Sequence, residues 1–195
     1  MTRIAVLASG GGSNLQALLD AIDALGTSAP ARVVLVASDR AGAGALDRAR
    51  RRGIATAVLA DPADGAALDA LLAGHGVELV VLAGYLKLVP RQVVERFDGA
   101  IVNIHPALLP AFGGPGMYGQ RVHAAVLASG ARESGATVHL VSEEYDRGAI
   151  LAQQRVAVEP GDTVATLSAR VLAAEHELYP LTILQLAARL SARAQ

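Results

Sequence analysis

The stretch Ile4-Ala5-Val6-Leu7-Ala8-Ser9-Gly10-Gly11-Gly12-Ser13-Asn14 decides the fold of this 195-residue chain. Its first five residues form a short apolar run, which is typical of a buried strand, and glycines follow almost directly. Apolar residues then recur at helical spacing, namely Leu15, Leu18, Leu19 and Ile22. The pattern predicts a strand, a glycine turn and a helix, in which helix-start N–H groups point at an anion.

The same alternation continues along the first half of the chain. Further strands are predicted at 33–37, 55–59, 79–83 and 100–104, and helices at 45–52 and 66–73. Strands that are apolar throughout, between helical segments, indicate a parallel sheet that is covered on both faces. We therefore predict an α/β fold with a doubly wound, mostly parallel, Rossmann-like sheet. In such sheets ligands bind beyond the carboxyl ends of the strands.

The pattern changes after Pro110. A glycine-rich loop at 112–119 precedes a predicted helix at 121–128, two β-rich runs at 136–141 and 150–158, and a long helix to the C-terminus. Asp162 is the expected N-cap of that helix, which Pro180 should kink or divide. We see no linker or repeat, so we expect a single domain over residues 1–195.

Composition excludes several classes of protein. The chain has no cysteine, which rules out disulfides, thiolate catalysis and cysteine-ligated metals. The net charge of −1 is spread along the sequence, which argues against a nucleic-acid partner or a membrane surface. The five histidines lack metal-ligand spacing, so we expect no metal site. Without a signal peptide or an apolar span, a cytoplasmic protein is the expectation.

The tract Asn103-Ile104-His105-Pro106-Ala107-Leu108-Leu109-Pro110 is the strongest candidate for chemistry. Strand alternation places Asn103 and His105 on the same side, and Pro106 biases His105 away from helical geometry. An amide donor beside a titratable base can polarise a carbonyl group and handle a proton. The alternative is a strand that runs into a proline-bounded loop, with both side chains satisfying local backbone groups.

Two acidic residues join this tract as candidates. Gly148 sharpens a turn that points Asp146 inward, where a carboxylate near His105 would favour the imidazolium form and raise the pKa of His105. The neighbouring Glu143 and Glu144 are expected to be solvated. Glu175 falls on the apolar stripe of the last helix, so it either rims a binding cleft or pairs with an arginine.

The glycine turn leaves two ligands open. Gly10 and Gly12 fit two positions of a dinucleotide-binding pattern, and Asp39 could then contact a ribose, but Leu15 stands where the third glycine belongs. Ser13 and Asn14 add hydroxyl and amide donors where one phosphate would dock. We favour a phosphate monoester over a dinucleotide, and a purely structural turn remains the third option.

Taken together, five motifs resemble the folate-dependent glycinamide ribonucleotide formyltransferases of purine biosynthesis. They are, in order, ASGGGSNLQALLDA, VVLAGYLKLVP, VNIHPALLP, SGATVHLVSEEYDRGAIL and RVLAAEHELYP. The resemblance implies transfer of a formyl group from 10-formyltetrahydrofolate, as co-substrate, to the amine of glycinamide ribonucleotide. It implies a tetrahedral intermediate whose oxyanion is stabilised by Asn103 and protonated His105, with Asp146 keeping His105 cationic.

The resemblance also assigns binding residues. Gly12, Ser13 and Asn14 match the loop that holds the substrate phosphate, and Glu175 matches a residue that binds the ribonucleotide. The segment Leu86-Lys87-Leu88-Val89, together with Asn103, matches the folate site. The resemblance implies a phosphate-binding half at about 1–100, a catalytic and folate-binding half at about 101–195, and a monomer or homodimer whose partners are these small molecules.

Other functions remain as alternatives. A formyltetrahydrofolate deformylase typically carries an additional N-terminal domain, and a methionyl-tRNA formyltransferase carries a C-terminal domain and a more basic surface; neither extension is expected here. A nicotinamide-dependent oxidoreductase would bind NAD(H). A phosphoribosyl- or folate-binding module without catalysis is the non-enzymatic alternative, and the joint presence of Asn103, His105 and Asp146 argues against it.

Overall fold

A computed structural model describes residues 1–193 as one seven-stranded sheet flanked by helices. The strands are β1 (Thr2–Leu7), β2 (Ala31–Ser38), β3 (Ala55–Val58), β4 (Leu79–Leu82), β5 (Ile101–His105), β6 (Glu133–Leu140) and β7 (Ile150–Ala157). The helices are α1 (Ser13–Leu25), α2 (Gly44–Arg51), α3 (Gly65–Gly74), α4 (Arg91–Arg96), α5 (Gln120–Ala128) and α6 (Val164–Arg193), with a 3₁₀ turn at Gly26–Ser28. None of the helices between residues 1 and 193 is long and apolar enough to cross a membrane.

The strand order is β3-β2-β1-β4-β5-β6-β7. The pairs from β3 to β5 are parallel, whereas β5 with β6 and β6 with β7 are antiparallel. The prediction of a doubly wound, mostly parallel sheet is therefore confirmed. From β1 the chain adds β2 and β3 on one side, and from β4 it adds β5, β6 and β7 on the other. The direction of winding therefore reverses between β1 and β4, and a crevice opens at the carboxyl ends of these two strands.

The centre of the sheet is the core of the molecule. Every residue of β4 is buried, and so is every residue of β1 except Arg3, because both strands have neighbours on each side and helices above and below. Just beyond their ends, the Ser9 backbone N–H donates to the carbonyl oxygen of Gly84 at 3.0 Å. This bond joins the glycine turn to the segment after β4, so the two loops at the crevice are held to each other.

Two expectations about helices need correction. Asp162 is not the N-cap of α6, because Thr163 accepts from the Thr166 backbone N–H at 3.2 Å, while Asp162 pairs with Arg170 at 2.7 Å. Pro180 lies inside α6 and does not divide it. Proline removes one helical hydrogen bond, but packing of the buried helix against α1, β6 and β7 holds both halves in line.

The sequence patterns also missed α4. Its six residues form less than two turns, so they are too few to show helical periodicity.

Tyr179 fixes α6 to the sheet. Its side chain is fully buried, and its hydroxyl group lies 2.9 Å from the carbonyl oxygen of Leu82 and 3.1 Å from that of Val102. These oxygens belong to β4 and β5, so one hydroxyl hydrogen is shared between two neighbouring strands. The contact sets where α6 packs against β4 and β5.

Replacing Tyr179 with Phe should lower the free energy of unfolding by about 1–3 kcal/mol, because two buried carbonyls lose a donor. The midpoint of thermal unfolding should then fall by about 2–4 °C for each kcal/mol. Tyr118→Phe, at a side chain that is 43% exposed, is the control and should change little. Equal midpoints for Tyr179→Phe and the unchanged protein would contradict this role.

Candidate active site

A cavity of about 570 Å³ opens at the carboxyl edge of the sheet, beyond β4 and β5. It is lined by residues that the sequence singled out for separate reasons: Asn14, Leu86, Asn103, His105, Asp146 and Glu175. They come from α1, the segment after β4, β5, the loop between β6 and β7, and α6. The fold therefore brings six of the predicted site residues to one cavity.

Asn103 and His105 lie on the same side of β5, as strand alternation predicts, and both line the cavity. The Nε2 atom of His105 lies 2.8 Å from the carbonyl oxygen of Phe112. A carbonyl only accepts, so Nε2 carries a hydrogen and donates it. The Nδ1 atom of the same ring lies 3.5 Å from Oδ2 of Asp146. Predicted proximity between His105 and the carboxylate is thus confirmed.

Asp146 is a buried carboxylate that lies close to two histidine rings and one backbone N–H. Its side chain is 8% exposed, Oδ2 accepts from the Gly114 backbone N–H at 2.9 Å, and Oδ1 lies 3.5 Å from Nε2 of His139. Burial raises the pKa of Asp146, but the neighbouring His139 and His105 rings and the hydrogen bond from the Gly114 N–H outweigh it, so the pKa lies below its usual value. Asp146 is therefore ionised at neutral pH.

The turn that carries Asp146 is sterically tight. The residue itself has φ of +56°, a left-handed conformation that is uncommon outside glycine. A Cβ atom on Gly148 would lie 1.7 Å from the carbonyl oxygen of Leu140, so only glycine fits there. As the sequence predicted, Gly148 shapes a turn that directs the carboxylate inward, whereas Glu143 and Glu144 are exposed.

The expected effect of Asp146 on His105 is only partly right. Burial lowers the pKa of His105 below its ordinary value, against the Asp146 carboxylate and the Phe112 carbonyl, which both raise it. The prediction that Asp146 makes His105 cationic is therefore wrong for the protein alone, because the ring loses more hydration than the nearby anion restores. His105 is neutral at neutral pH and has a carboxylate in position to stabilise its cation.

The glycine turn has the shape that anion binding requires. Gly12 has φ of +74°, and a Cβ atom there would lie 2.7 Å from Cα of Ala45, so this position admits only glycine. No side chain among residues 1–193 caps the start of α1, and its first N–H groups have no intrahelical partner. Arg48 donates to the Gly11 carbonyl at 2.8 Å, which places a positive charge at the turn.

Glu175 rims the cavity, and no arginine in the described residues 1–193 pairs with it. Its carboxylate accepts from Nδ2 of Asn14 at 2.7 Å, and both residues are buried. Burial raises the pKa of Glu175, and the hydrogen bond from Asn14 only partly opposes this. Of the two possibilities that spacing left open, the cleft is the one observed. Asp39, the residue on which a dinucleotide would depend, is buried and is not among the cavity-lining residues.

The segment after β4 divides between surface and core. Leu86 lines the cavity and Leu88 is exposed, whereas Val89 is buried in the hydrophobic core. The backbone N–H of Leu86 already donates to the Ser9 hydroxyl at 3.0 Å. Exposed apolar side chains here offer a surface for a flat ring, while Val89 supports the segment from below.

Sequence patterns missed several residues of the site. His139 lies opposite Asn103 across the β5–β6 pair, and the buried His123 lines the cavity from α5. Both looked like ordinary strand and helix histidines, because only the sheet register and helix docking bring them to Asp146 and His105. Within residues 1–193, no group of three or more His, Cys, Asp or Glu side chains has the arrangement of a metal site.

Comparisons with known proteins agree with this geometry. The formyl transferase family profile matches residues 2–183. The chloroplastic phosphoribosylglycinamide formyltransferase of Arabidopsis thaliana is 47% identical over 91% of this chain and 62% of its own length. The phosphoribosylglycinamide formyltransferase of Haemophilus influenzae is 39% identical over 94% of this chain and 86% of its own.

A solved structure shares the fold closely. Glycinamide ribonucleotide transformylase 1 from Symbiobacterium toebii superposes with a TM-score of 0.88 at 44% identity, over 96% of this chain and 88% of that one. The chain spans 62% and 58% of the length of the two plant relatives that it matches.

Glu175 should make the protein less stable as the pH rises. The folded-state pKa of Glu175 is raised, so between the ordinary glutamate pKa and that raised value the unfolded chain ionises more readily than the folded one. Stability is therefore lost over this pH range. Glu175→Gln keeps the acceptor for Asn14 and cannot ionise, so we expect a higher unfolding midpoint than the unchanged protein at pH 7 and equal midpoints at about pH 4.

The matched control is Glu177→Gln, an exposed glutamate on the same helix, which should shift the midpoint little at either pH. A Glu175→Gln variant that is less stable than the unchanged protein at pH 7 would contradict the assignment of Glu175 as a buried, destabilising carboxylate.

Proposed function

The chain belongs to the formyl transferase family, and on this premise we propose that it transfers a formyl group from 10-formyltetrahydrofolate to the amine of glycinamide ribonucleotide. The single observation that carries the proposal is the shared cavity, where Asn103, His105 and Asp146 face the same space as Asn14 and Glu175. A phosphorylated substrate that carries an amine needs both sets of groups, one to hold it and one to act on it.

The ribonucleotide fits the part of the cavity formed by α1 and α6. Its phosphate would bind the free N–H groups at Gly12, Ser13 and Asn14, where the helix start and Arg48 favour an anion. A ribose hydroxyl would donate to Glu175, which then gains a second donor beside Asn14. A phosphate monoester is favoured over a dinucleotide because Asp39 does not reach this cavity.

The folate would bind on the segment Leu86-Lys87-Leu88-Val89, with Asn103 at the reacting group. Leu86 and Leu88 give apolar surface to a flat ring, and Lys87 beside them is exposed. The phosphate turn then lies in residues 1–100 and the catalytic trio in 101–195. Each half would also contact the ligand of the other, because the folate segment belongs to the first half and Glu175, which would bind the ribonucleotide, belongs to the second.

The reaction we infer is direct transfer. The substrate amine attacks the formyl carbon, and negative charge develops on the formyl oxygen. Nε2 of His105 carries a hydrogen that the Phe112 carbonyl accepts in the protein alone, and the oxyanion would take the place of that carbonyl. The Asn103 amide supplies a second donor. Oxyanion donors of this kind typically contribute about 2.7–4 kcal/mol to the barrier.

His105 would also take up the proton that the reaction releases. Nδ1 is the free basic atom of the neutral ring, and it receives the proton released by the amine, directly or through water. Asp146 stays ionised because its pKa is lowered, so it stabilises the imidazolium that forms beside the oxyanion. The proton is then available to the departing folate nitrogen.

The deciding experiment mixes the protein with 10-formyltetrahydrofolate, with and without glycinamide ribonucleotide, and follows the deformylated folate spectroscopically. Release of deformylated folate that requires the ribonucleotide, matched by formylated product, is the expected result. Equal release without the ribonucleotide would indicate a deformylase. No release in either case, from folded protein, would overturn the proposal.

Substituting Asn103→Ala or His105→Ala should lower kcat about 100-fold or more, because each variant loses one donor to the oxyanion. His75→Ala is the matched control. His75 follows α3 and lies beside Arg3 at the start of β1, at the opposite edge of the sheet from the cavity, and its ring bonds to Leu71 of its own helix. The control should keep its turnover. Near-normal kcat in a folded His105→Ala protein would disprove the role of that histidine.

Asp146→Asn should lower kcat and move the acid limb of kcat/KM to lower pH. The Asp146 carboxylate raises the pKa of His105, so removing its charge lowers that pKa further and keeps the ring neutral into more acid solution. The amine of the free substrate titrates identically with both proteins, so a shift between the two profiles reports the enzyme. An acid limb that moves to higher pH would contradict this assignment.

A further inference from the structure

His139 is held by two contacts that fix where its hydrogens lie. Its Nδ1 atom is 2.8 Å from the carbonyl oxygen of Leu140, and a carbonyl can only accept. Nδ1 therefore carries a hydrogen, and a neutral ring then has a lone pair on Nε2. The side chain is buried on β6, so solvent does not compete for either nitrogen.

The Nε2 atom faces the amide of Asn103. Nδ2 of Asn103 is 3.1 Å from this nitrogen, and the two residues are directly opposite each other in the β5–β6 pair. An amide nitrogen carries two hydrogens, and only one of them can point at His139. Oδ1 of Asp146 lies 3.5 Å from the same Nε2, which is longer than a normal hydrogen bond.

We propose that His139 is a positioning residue for the transfer reaction: its Nε2 lone pair accepts one Asn103 amide hydrogen and thereby holds the second at the cavity. Without this acceptor the Asn103 carboxamide is free to turn its oxygen toward the substrate. An oxygen in that position would repel the oxyanion that the amide hydrogen stabilises. The catalytic consequence rests on the proposed function, whereas the hydrogen bond itself does not.

The hydrogen bond is tested on the unchanged, full-length protein by ¹⁵N NMR. The expected result at neutral pH is a protonated Nδ1 and an unprotonated Nε2 in His139, with scalar coupling across the hydrogen bond to Nδ2 of Asn103. A protonated Nε2, or no coupling to Asn103, would overturn the proposal. The measurement uses no turnover, so it stands even if the protein does not transfer formyl groups.

The effect on turnover is tested with two polar substitutions that differ by one methylene group. His139→Gln places an amide oxygen near the Nε2 position, where it can still accept from Asn103. His139→Asn reaches only the Nδ1 position, so it keeps a donor for Leu140 and leaves Asn103 without a partner. We expect kcat to fall about 10-fold or more in His139→Asn with little change in KM, and much less in His139→Gln.

A double-mutant cycle separates positioning from general structural damage. In an Asn103→Ala background no amide remains to be oriented, so His139→Asn should cost no further turnover. Equal losses in both backgrounds, or equal losses for the Asn and Gln variants, would show that His139 does not act through Asn103. If His139→Asn does not fold, the NMR measurement on the unchanged protein decides the proposal by itself.

Discussion

The Asp146 carboxylate is the constraint on which the site depends. It is buried, and its two oxygens face His105, His139 and the Gly114 backbone N–H, which belong to three separate segments of the chain. An ion in such a place is costly unless polar groups surround it, so the loop, β5 and β6 must all be positioned together. Two local features allow this position. Asp146 adopts a strained left-handed backbone, and Gly148 has no side chain that would collide with the neighbouring strand.

The change from parallel to antiparallel pairing at β5 determines what that carboxylate meets. Because β6 runs back along β5, Asn103 lies opposite His139 and His105 lies opposite Thr137. The Thr137 hydroxyl donates to the Ala107 carbonyl at 2.6 Å and accepts from the Leu109 N–H at 3.0 Å, so β6 also holds the loop that follows His105. A wholly parallel sheet would have supplied a helix here, and neither contact would exist.

Sequence reasoning succeeded where the information is local. The apolar run before Gly10 and the Asn103–Pro110 tract each specify their own conformation, so strands, turns and the facing of Asn103 and His105 were predictable. It failed where strand register decides which residues meet, or where loss of hydration decides a pKa. His139 is recognised only once its strand is paired with β5, and the lowered pKa of His105 reflects burial, which the sequence does not measure. Five histidines look alike in the sequence until the fold distinguishes them.

Helix α6 shows how stability and site geometry are coupled. Tyr179 and Glu175 are one turn apart, so they share a face of the helix. The Tyr179 hydroxyl binds carbonyls of β4 and β5, and this contact helps to place Glu175 beside Asn14 over the cavity. The fully buried phenol stabilises the helix position, whereas the buried carboxylate works against folding. A binding residue whose charge is unfavourable in the protein alone is thus held in place by a neighbour with a structural role.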